Sequence, residues 1–385
     1  MTDGIFGLEN SWIDGLIRLL MIVGLMTIVA MGLIYIERKV LGRFHARVGP
    51  QRTGPFGLLQ SVADALKLIG KEDLRPRNAD PWTFEFGPYL VFIPIFMGFV
   101  VQPFMAGFNV RVLDLGILYF VAVSSVSIVG WVMAGWGSDN RYAMIGGMRA
   151  AAQAISYELP FVLSLLSVAM LAGTLNINEI VLAQWAVPNI VWQPLAFIIF
   201  FVAALAELNR PPFDIPIGES EVVGGPFVEY SGIRWSMFFL GEYASLFIMS
   251  VLISALFLGG YEWPFGTQLG VGFQLLLTVV KASMLIFLII WVRASMPRLR
   301  IDQLMAYAWK ILLPLSLVQV LVNGFVLAYD LPWITLTVAG LGGVVFLVWI
   351  TERAVALGQR AVVVRVVAGH RWSQEHRERG QHALR

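Results

Sequence analysis

Long apolar runs separated by short polar breaks occupy most of the chain. A bilayer core of ~30 Å takes roughly 20 apolar helical residues. About nine stretches reach that length, at 15–36, 88–108, 113–136, 151–174, 189–208, 236–259, 271–292, 309–329 and 331–350. The last two are separated by little more than Asp330-Leu-Pro, which suits a tight helical hairpin. Pro94, Pro160 and Pro314 fall inside runs and predict kinks, tolerated where neighbouring helices satisfy the freed backbone groups. The predicted fold is an all-α polytopic membrane protein, one transmembrane domain over 1–350 with a tail over 351–385. Its long polar connections are 37–87 and 207–235.

A different period appears between Gly54-Pro55 and Gly70. Phe56, Leu59, Val62, Leu66 and Ile69 recur at helical spacing, with Gln60, Asp64 and Lys67 opposite. Pro at the first turn and Gly at the end bound a helix too short to span. Two readings stay open: a flat interfacial helix that admits a lipid-soluble ligand, or a helix packed on its neighbours.

Composition agrees with the pattern. The 385 residues are 58% hydrophobic and 14% charged, against about 25% charged in soluble domains, and mean hydropathy is +0.75. Of the 27 Lys and Arg, all but Arg18, Arg111 and Lys281 lie in, or at the edge of, the connections after runs one, three, five and seven and the tail. That alternation predicts an odd number of spans, with the N-terminus outside and the C-terminus in the cytoplasm. The first residues carry no basic stretch, so no cleaved signal is expected. The tail after His370 is polar and is expected to be disordered or a partner contact.

Cysteine is absent, which excludes thiolate-held iron–sulfur clusters, zinc fingers and disulfides on this chain. His45, His370, His376 and His382 lie outside the apolar runs, so no metal site is expected within the bilayer. No nucleotide-binding or serine-hydrolase motif occurs.

Candidate chemistry therefore rests on carboxylates. Glu207, Asp214, Glu219, Glu221 and Glu229 crowd one connection beside Arg210, between two apolar runs. Ionised groups near apolar lipid are costly, so such a cluster points to an ion or proton path. Glu158, Glu242 and Lys281 fall inside predicted spans, where burial drives acids and amines toward neutrality. Snorkelling or a static ion pair is the alternative, although Lys281 lies deep for snorkelling. Glu37, beside Arg38 and Lys39, reads equally as a surface ion pair. Glu219-Ser-Glu221 alone resembles any solvated acidic loop.

These residues sit in blocks that resemble a known family. The blocks are Ile36-Glu-Arg-Lys39, Gly42-Arg-Phe-His-Ala-Arg-Val-Gly-Pro-Gln-Arg-Thr-Gly-Pro-Phe-Gly-Leu-Leu-Gln60 and Ala63-Asp-Ala-Leu-Lys-Leu-Ile-Gly-Lys-Glu-Asp73. Further blocks are Arg149-Ala-Ala-Ala-Gln-Ala-Ile-Ser-Tyr-Glu158, Glu207-Leu-Asn-Arg-Pro-Pro-Phe-Asp214, Glu229-Tyr-Ser-Gly232 and Trp291-Val-Arg-Ala-Ser-Met-Pro-Arg298. Together they are similar to the H subunit (mitochondrial subunit-1 type) of NADH–quinone oxidoreductase, respiratory complex I. The ninth run and tail lie outside the core shared by shorter members.

The resemblance implies a membrane-arm subunit, not catalytic alone, that helps form a chamber where quinone (ubiquinone or menaquinone) is the substrate. It implies as partners the peripheral-arm iron–sulfur subunits, the antiporter-like membrane subunits and the lipid bilayer, without nucleic acid, in a bacterial plasma or inner membrane. Glu37, Glu158, Glu207, Asp214, Glu219, Glu221, Glu229 and Glu242 would form an acidic proton path, with Lys281 as a further intramembrane candidate. Arg38, Phe56, Gly57, Gln60, Asp64, Lys67, Arg210 and Arg293 would line or support the quinone route. Two positions depart from the family pattern. Ile217-Gly218-Glu219-Ser-Glu221 stands where Glu-Ala-Glu-Ser-Glu is common, and Phe227 where His is common. Alternatives are the related membrane component of a complex-I-like hydrogenase or other donor–quinone oxidoreductase, a stand-alone cation or proton transporter, or a passive anchor.

Overall fold

A computed structural model describes residues 11–106, 111–263 and 270–353. Most of the tail, from 354 onward, lies outside the described residues. Helices dominate and no strand occurs among the described residues. They are α1 (Ser11–Phe44), α2 (Gln60–Gly70), α3 (Pro81–Gly98), α4 (Gly116–Gly137), α5 (Arg141–Ala172), α6 (Ile177–Ala183) and α7 (Asn189–Trp192). Then follow α8 (Pro194–Glu207), α9 (Glu219–Val222), α10 (Gly232–Phe257), α11 (Val271–Ser295), α12 (Ile301–Tyr307), α13 (Leu313–Ala328) and α14 (Ile334–Arg353).

Among the described residues, 8 helical stretches are long and apolar enough to cross a membrane. The run expected over 189–208 differs. It is divided into α7 and α8, and α8 has only 14 residues, or ~21 Å at 1.5 Å per residue. The break falls at Gln193, at φ −130° and ψ 60°. Proline disfavours the helical region for the residue before it, and at Gln193 the backbone leaves that region, so Pro194 starts a new helix instead of continuing the old one. Pro314 acts otherwise. Between α12 and α13 the chain makes a π turn at Ala308–Leu312, just before that proline. A residue without an N–H, whose ring crowds the preceding turn, favours such a wider turn.

The short amphipathic helix is present but starts later than its sequence suggests. Pro55–Gly57 forms a separate 3-10 turn, with Phe56 at φ 56° and Gly57 at φ 79°, and α2 begins at Gln60. Left-handed residues cannot belong to a continuous right-handed helix.

One large core, built by α1, α3, α5, α8, α10, α11 and the α12–α13 segment, holds the bundle together. Small residues allow close approach where spans meet. A Cβ on Gly130 would sit 2.8 Å from the Val91 backbone nitrogen, so α3 and α4 touch almost backbone to backbone. The last helix uses the same device: a Cβ on Gly343 would meet the Leu195 side chain at 2.5 Å, docking α14 on the start of α8. Trp192 and Trp333 add an edge contact at 5.6 Å.

The connections after α1, α4, α8 and α11 gather at one end of the bundle. Arg234, at the start of α10, pairs with Asp73 at 3.0 Å and Glu85 at 2.7 Å, tying the segment after α2 to α3. The acidic connection folds down on α5, where a Cβ on Gly146 would meet the Gly225 Cα at 2.5 Å. Gly225 has φ 57°, and its own Cβ would lie 2.0 Å from the Pro216 carbonyl oxygen. Only glycine fits that crossing.

Candidate functional site

Glu37, near the end of α1, is 2% exposed. Arg210, three residues past α8, donates to its Oε2 at 2.6 Å and is itself 4% exposed. Arg293, in the last turn of α11, donates to Oε1. A carboxylate from the first span is thus held between one cation from the connection after α8 and another from the end of α11. Arg210 also lies over the Tyr243 ring at 4.8 Å. Burial opposes the charge on Arg210, but Glu37, Tyr243 and Glu242 together outweigh it and raise its pKa.

Asp214 extends the cluster through Arg298 at 2.7 Å. Burial raises the Asp214 pKa above the ordinary 3.8, and Arg298, Arg293 and Arg210 offset this only in part. Gln153 of α5 fixes the connection itself. Its buried amide donates to the carbonyls of Ala206 and Phe213, both at 2.8 Å, and to Asn209 Oδ1 at 3.1 Å.

Two cavities flank this cluster. The first is lined by Glu207, Glu242, Asn209, Ser124, Ser127 and Ser245 together with apolar side chains of α3, α4 and α10. Its volume is about 60 Å³, and one water needs roughly 10–15 Å³ measured the same way. Glu242 Oε1 is buried with no hydrogen-bond partner among the described residues. Glu158 lies within electrostatic reach of Glu207, and Ser125 donates to its Oε1.

The second cavity, about 290 Å³, lies between α1, α2 and α10. Its wall is apolar except for Thr27, Ser61, Ser236, Arg38 and Asp64. Arg38 and Asp64 pair at 2.5 Å. Gln60 donates to Asp64 at 3.1 Å and accepts from Thr53 at 2.7 Å. Partial burial acts to raise the Asp64 pKa, but Arg38 and Gln60 more than reverse it and hold it below 3.8.

The family described as NADH dehydrogenase matches residues 17–324. The H subunit of NADH-quinone oxidoreductase from Geobacillus kaustophilus is 50% identical over 294 residues, covering 76% of this chain and 88% of the relative. The H subunit from Brevibacillus brevis is 48% identical over 297 residues, or 77% and 88%. The one from Dehalococcoides mccartyi is 45% identical over 318 residues, or 83% and 88%. The chain belongs to the H-subunit family of NADH-quinone oxidoreductase.

In this member of the H-subunit family, the structure joins Glu37, Arg210, Arg293 and Asp214 in one cluster, and Arg38, Gln60 and Asp64 in another. Glu207 and Glu242 share a cavity. Glu221 pairs with Arg149 at 2.6 Å, and Glu229 accepts from Asn140 at 2.6 Å. The Glu219 side chain lies outside the described residues. Phe56 exposes its ring while its carbonyl accepts from Tyr35 at 3.0 Å. Gly57 is pressed against Pro50, and Lys67 reaches Asp64 only electrostatically.

Lys281 stands apart. Its ammonium donates to the carbonyls of Leu258, Gly260 and Glu262, all within 2.8 Å, at the far end of α10. Arg293 is twelve residues further along α11, ~18 Å away at helical rise. Phe227 is packed against Trp131 at 5.3 Å and Phe238 at 5.0 Å.

Gln153, Ser125, Asn140 and Tyr243 were not legible as site residues from the blocks. Polar side chains within apolar runs were the available signal, strongest for Gln153 and for the run Ser124-Ser125-Val126-Ser127.

Proposed function

We propose that this chain helps form the quinone-reduction chamber of the oxidoreductase and couples reduction to proton transfer through its carboxylates. The observation that carries the reading is the apolar 290 Å³ cavity edged by Arg38 and Asp64, whose Arg38 is the chain neighbour on α1 of Glu37 in the buried Glu37–Arg210–Arg293 cluster. Small-molecule sites are mostly apolar with a few polar groups and span about 300–1,000 Å³. An apolar tail fits between α1, α2 and α10, and a polar headgroup fits the charged edge. Ubiquinone and menaquinone both have that form.

Charge arriving on a headgroup then acts on the acids beyond. At an effective dielectric of ~20, a unit charge ~8 Å away contributes about 2 kcal/mol. Moving a proton against ~150 mV costs about 3.5 kcal/mol. One site falls short, whereas two or three coupled carboxylates reach the scale. The order is Asp214 and Glu242 next to the cluster, Glu207 across the shared cavity, then Glu158, toward antiporter-like subunits in the membrane. Iron–sulfur subunits of the peripheral arm supply the electrons at the end carrying the acidic connection, which the Lys and Arg distribution places in the cytoplasm. Glu221 and Glu229 hold the mouth of this path.

The test is photolabelling of the purified complex with a quinone bearing a photoreactive tail. Labels are expected on 27–38, 61–69 or 233–240, displaced by excess quinone. Displaceable labelling confined to other segments of this chain or to other subunits overturns the reading.

A further inference from the structure

We propose that Ser125 is a positioning residue that holds the Glu158 carboxyl in one place in both of its protonation states. The inference rests on the reading above that Glu158 gains and loses a proton during turnover. Ser125 Oγ lies within hydrogen-bonding reach of two groups, Glu158 Oε1 and the Val121 carbonyl oxygen, the latter at 2.9 Å. A hydroxyl has one proton to give and two lone pairs to receive with.

When Glu158 is ionised, its carboxylate only accepts, and the Ser125 proton points to it. When Glu158 is protonated, its O–H donates to Ser125 Oγ and the serine proton turns to Val121. The Val121 carbonyl accepts its helical bond and, through its second lone pair, the proton of either Ser124 or Ser125, so Ser124, which lines the polar cavity, yields that acceptor when Ser125 turns to it. The change is a rotation about the serine C–O bond, with one proton added at Glu158 and none lost. In both states Glu158 Oε1 and the Ser125 hydroxyl stay paired with each other within the apolar span, where an unmade bond carries its full desolvation cost.

The neighbouring serines of α4 do something else. Ser124 donates to Val121 at 2.9 Å and Ser127 to Ser124 at 2.7 Å, and both line the Glu207–Glu242 cavity. Of these three, Ser125 is the one that bonds a carboxylate among the described residues.

The experiment compares S125A, S125T and E158Q in the assembled complex. NADH-driven quinone reduction, protons moved per electron and the redox-induced infrared difference spectrum are recorded. S125A is expected to slow quinone reduction about tenfold, the worth of one hydrogen bond to a charged group. It also shifts the carboxylic carbonyl band that E158Q abolishes. S125T, whose hydroxyl reaches the same i−4 carbonyl, returns rate and band to within about twofold of wild type. An S125A complex with wild-type rate and an unmoved band, alongside an inactive E158Q, overturns the role of Ser125 alone. A slower S125A with an unmoved band overturns it too, as that marks a packing effect. Wild-type activity in E158Q removes the underlying reading of Glu158. If S125A does not assemble, S125C decides, since a thiol of similar size is a weak donor. An S125C complex with wild-type rate and band also overturns the proposal.

Discussion

Replacing Glu37 with Gln removes the negative charge held between Arg210 and Arg293 and leaves the side-chain volume almost unchanged. The two cations then respond differently. Arg293 is 33% exposed and can swing its guanidinium into water, whereas Arg210, at 4%, cannot. At ~4 Å and an effective dielectric of ~20 each pair contributes about 4 kcal/mol of attraction. Stranding a buried charge by removing its partner costs ~3–5 kcal/mol. Glu37→Gln, which strands Arg210, should weaken the assembled complex by that amount, and Arg210→Gln by less, because Arg293 still pairs with Glu37. Arg293→Gln should cost no more than about 1 kcal/mol, because solvent screens its half of the interaction. The double variant Glu37→Gln/Arg210→Gln should cost less than the sum, since neither charge is then left alone. The assay is the half-life of quinone reductase activity in the detergent-purified complex at a fixed temperature, with the amount of assembled complex in membranes beside it. A fall of at least about tenfold in half-life is expected for Glu37→Gln. Wild-type half-life in Glu37→Gln, or greater damage from Arg293→Gln than from Arg210→Gln, refutes the reasoning.

Asp64, with its pKa held below 3.8 mainly by Arg38 and Gln60 against burial, contributes stability that is fully present above that value and lost as pH falls through the lowered one. Asp64→Asn should therefore flatten the loss of stability below about pH 4, and an unchanged acid limb in a pH-resolved thermal scan counts against the pairing. Glu158→Gln and Glu221→Gln should each depress quinone reduction and proton pumping by at least about tenfold. Wild-type rates with wild-type stoichiometry in both variants would refute the carboxylate path.

Some of the site was legible in single residues. Glu37 stood at the end of an apolar run beside two cations, so its charge was evident while its partners were not. Its partners lie more than 170 residues away in the chain, and no local pattern links α1 to Arg210 or Arg293. Glu242 and Glu207 were readable as buried acids because each interrupts or ends an apolar run. The cavity they share was not, since it depends on how α3, α4 and α10 cross. Lys281 shows the opposite case. Its depth within a run suggested a place among the acids, and its three backbone acceptors follow from the way α10 ends beside α11.

Residue order alone makes the chain helical, apolar enough to cross a membrane repeatedly, without thiolate ligands and rich in acids at one set of connections. Those properties follow from residue-by-residue transfer costs and short-range periodicity, which need no knowledge of neighbours. Which carboxylate faces which cation, and the meeting of Ser125 with Glu158, depend on the packed bundle. These are outcomes of helix crossing, where small residues such as Gly130 and Gly146 set how closely spans approach. A shift of one turn would exchange every long-range partner without altering a single local preference.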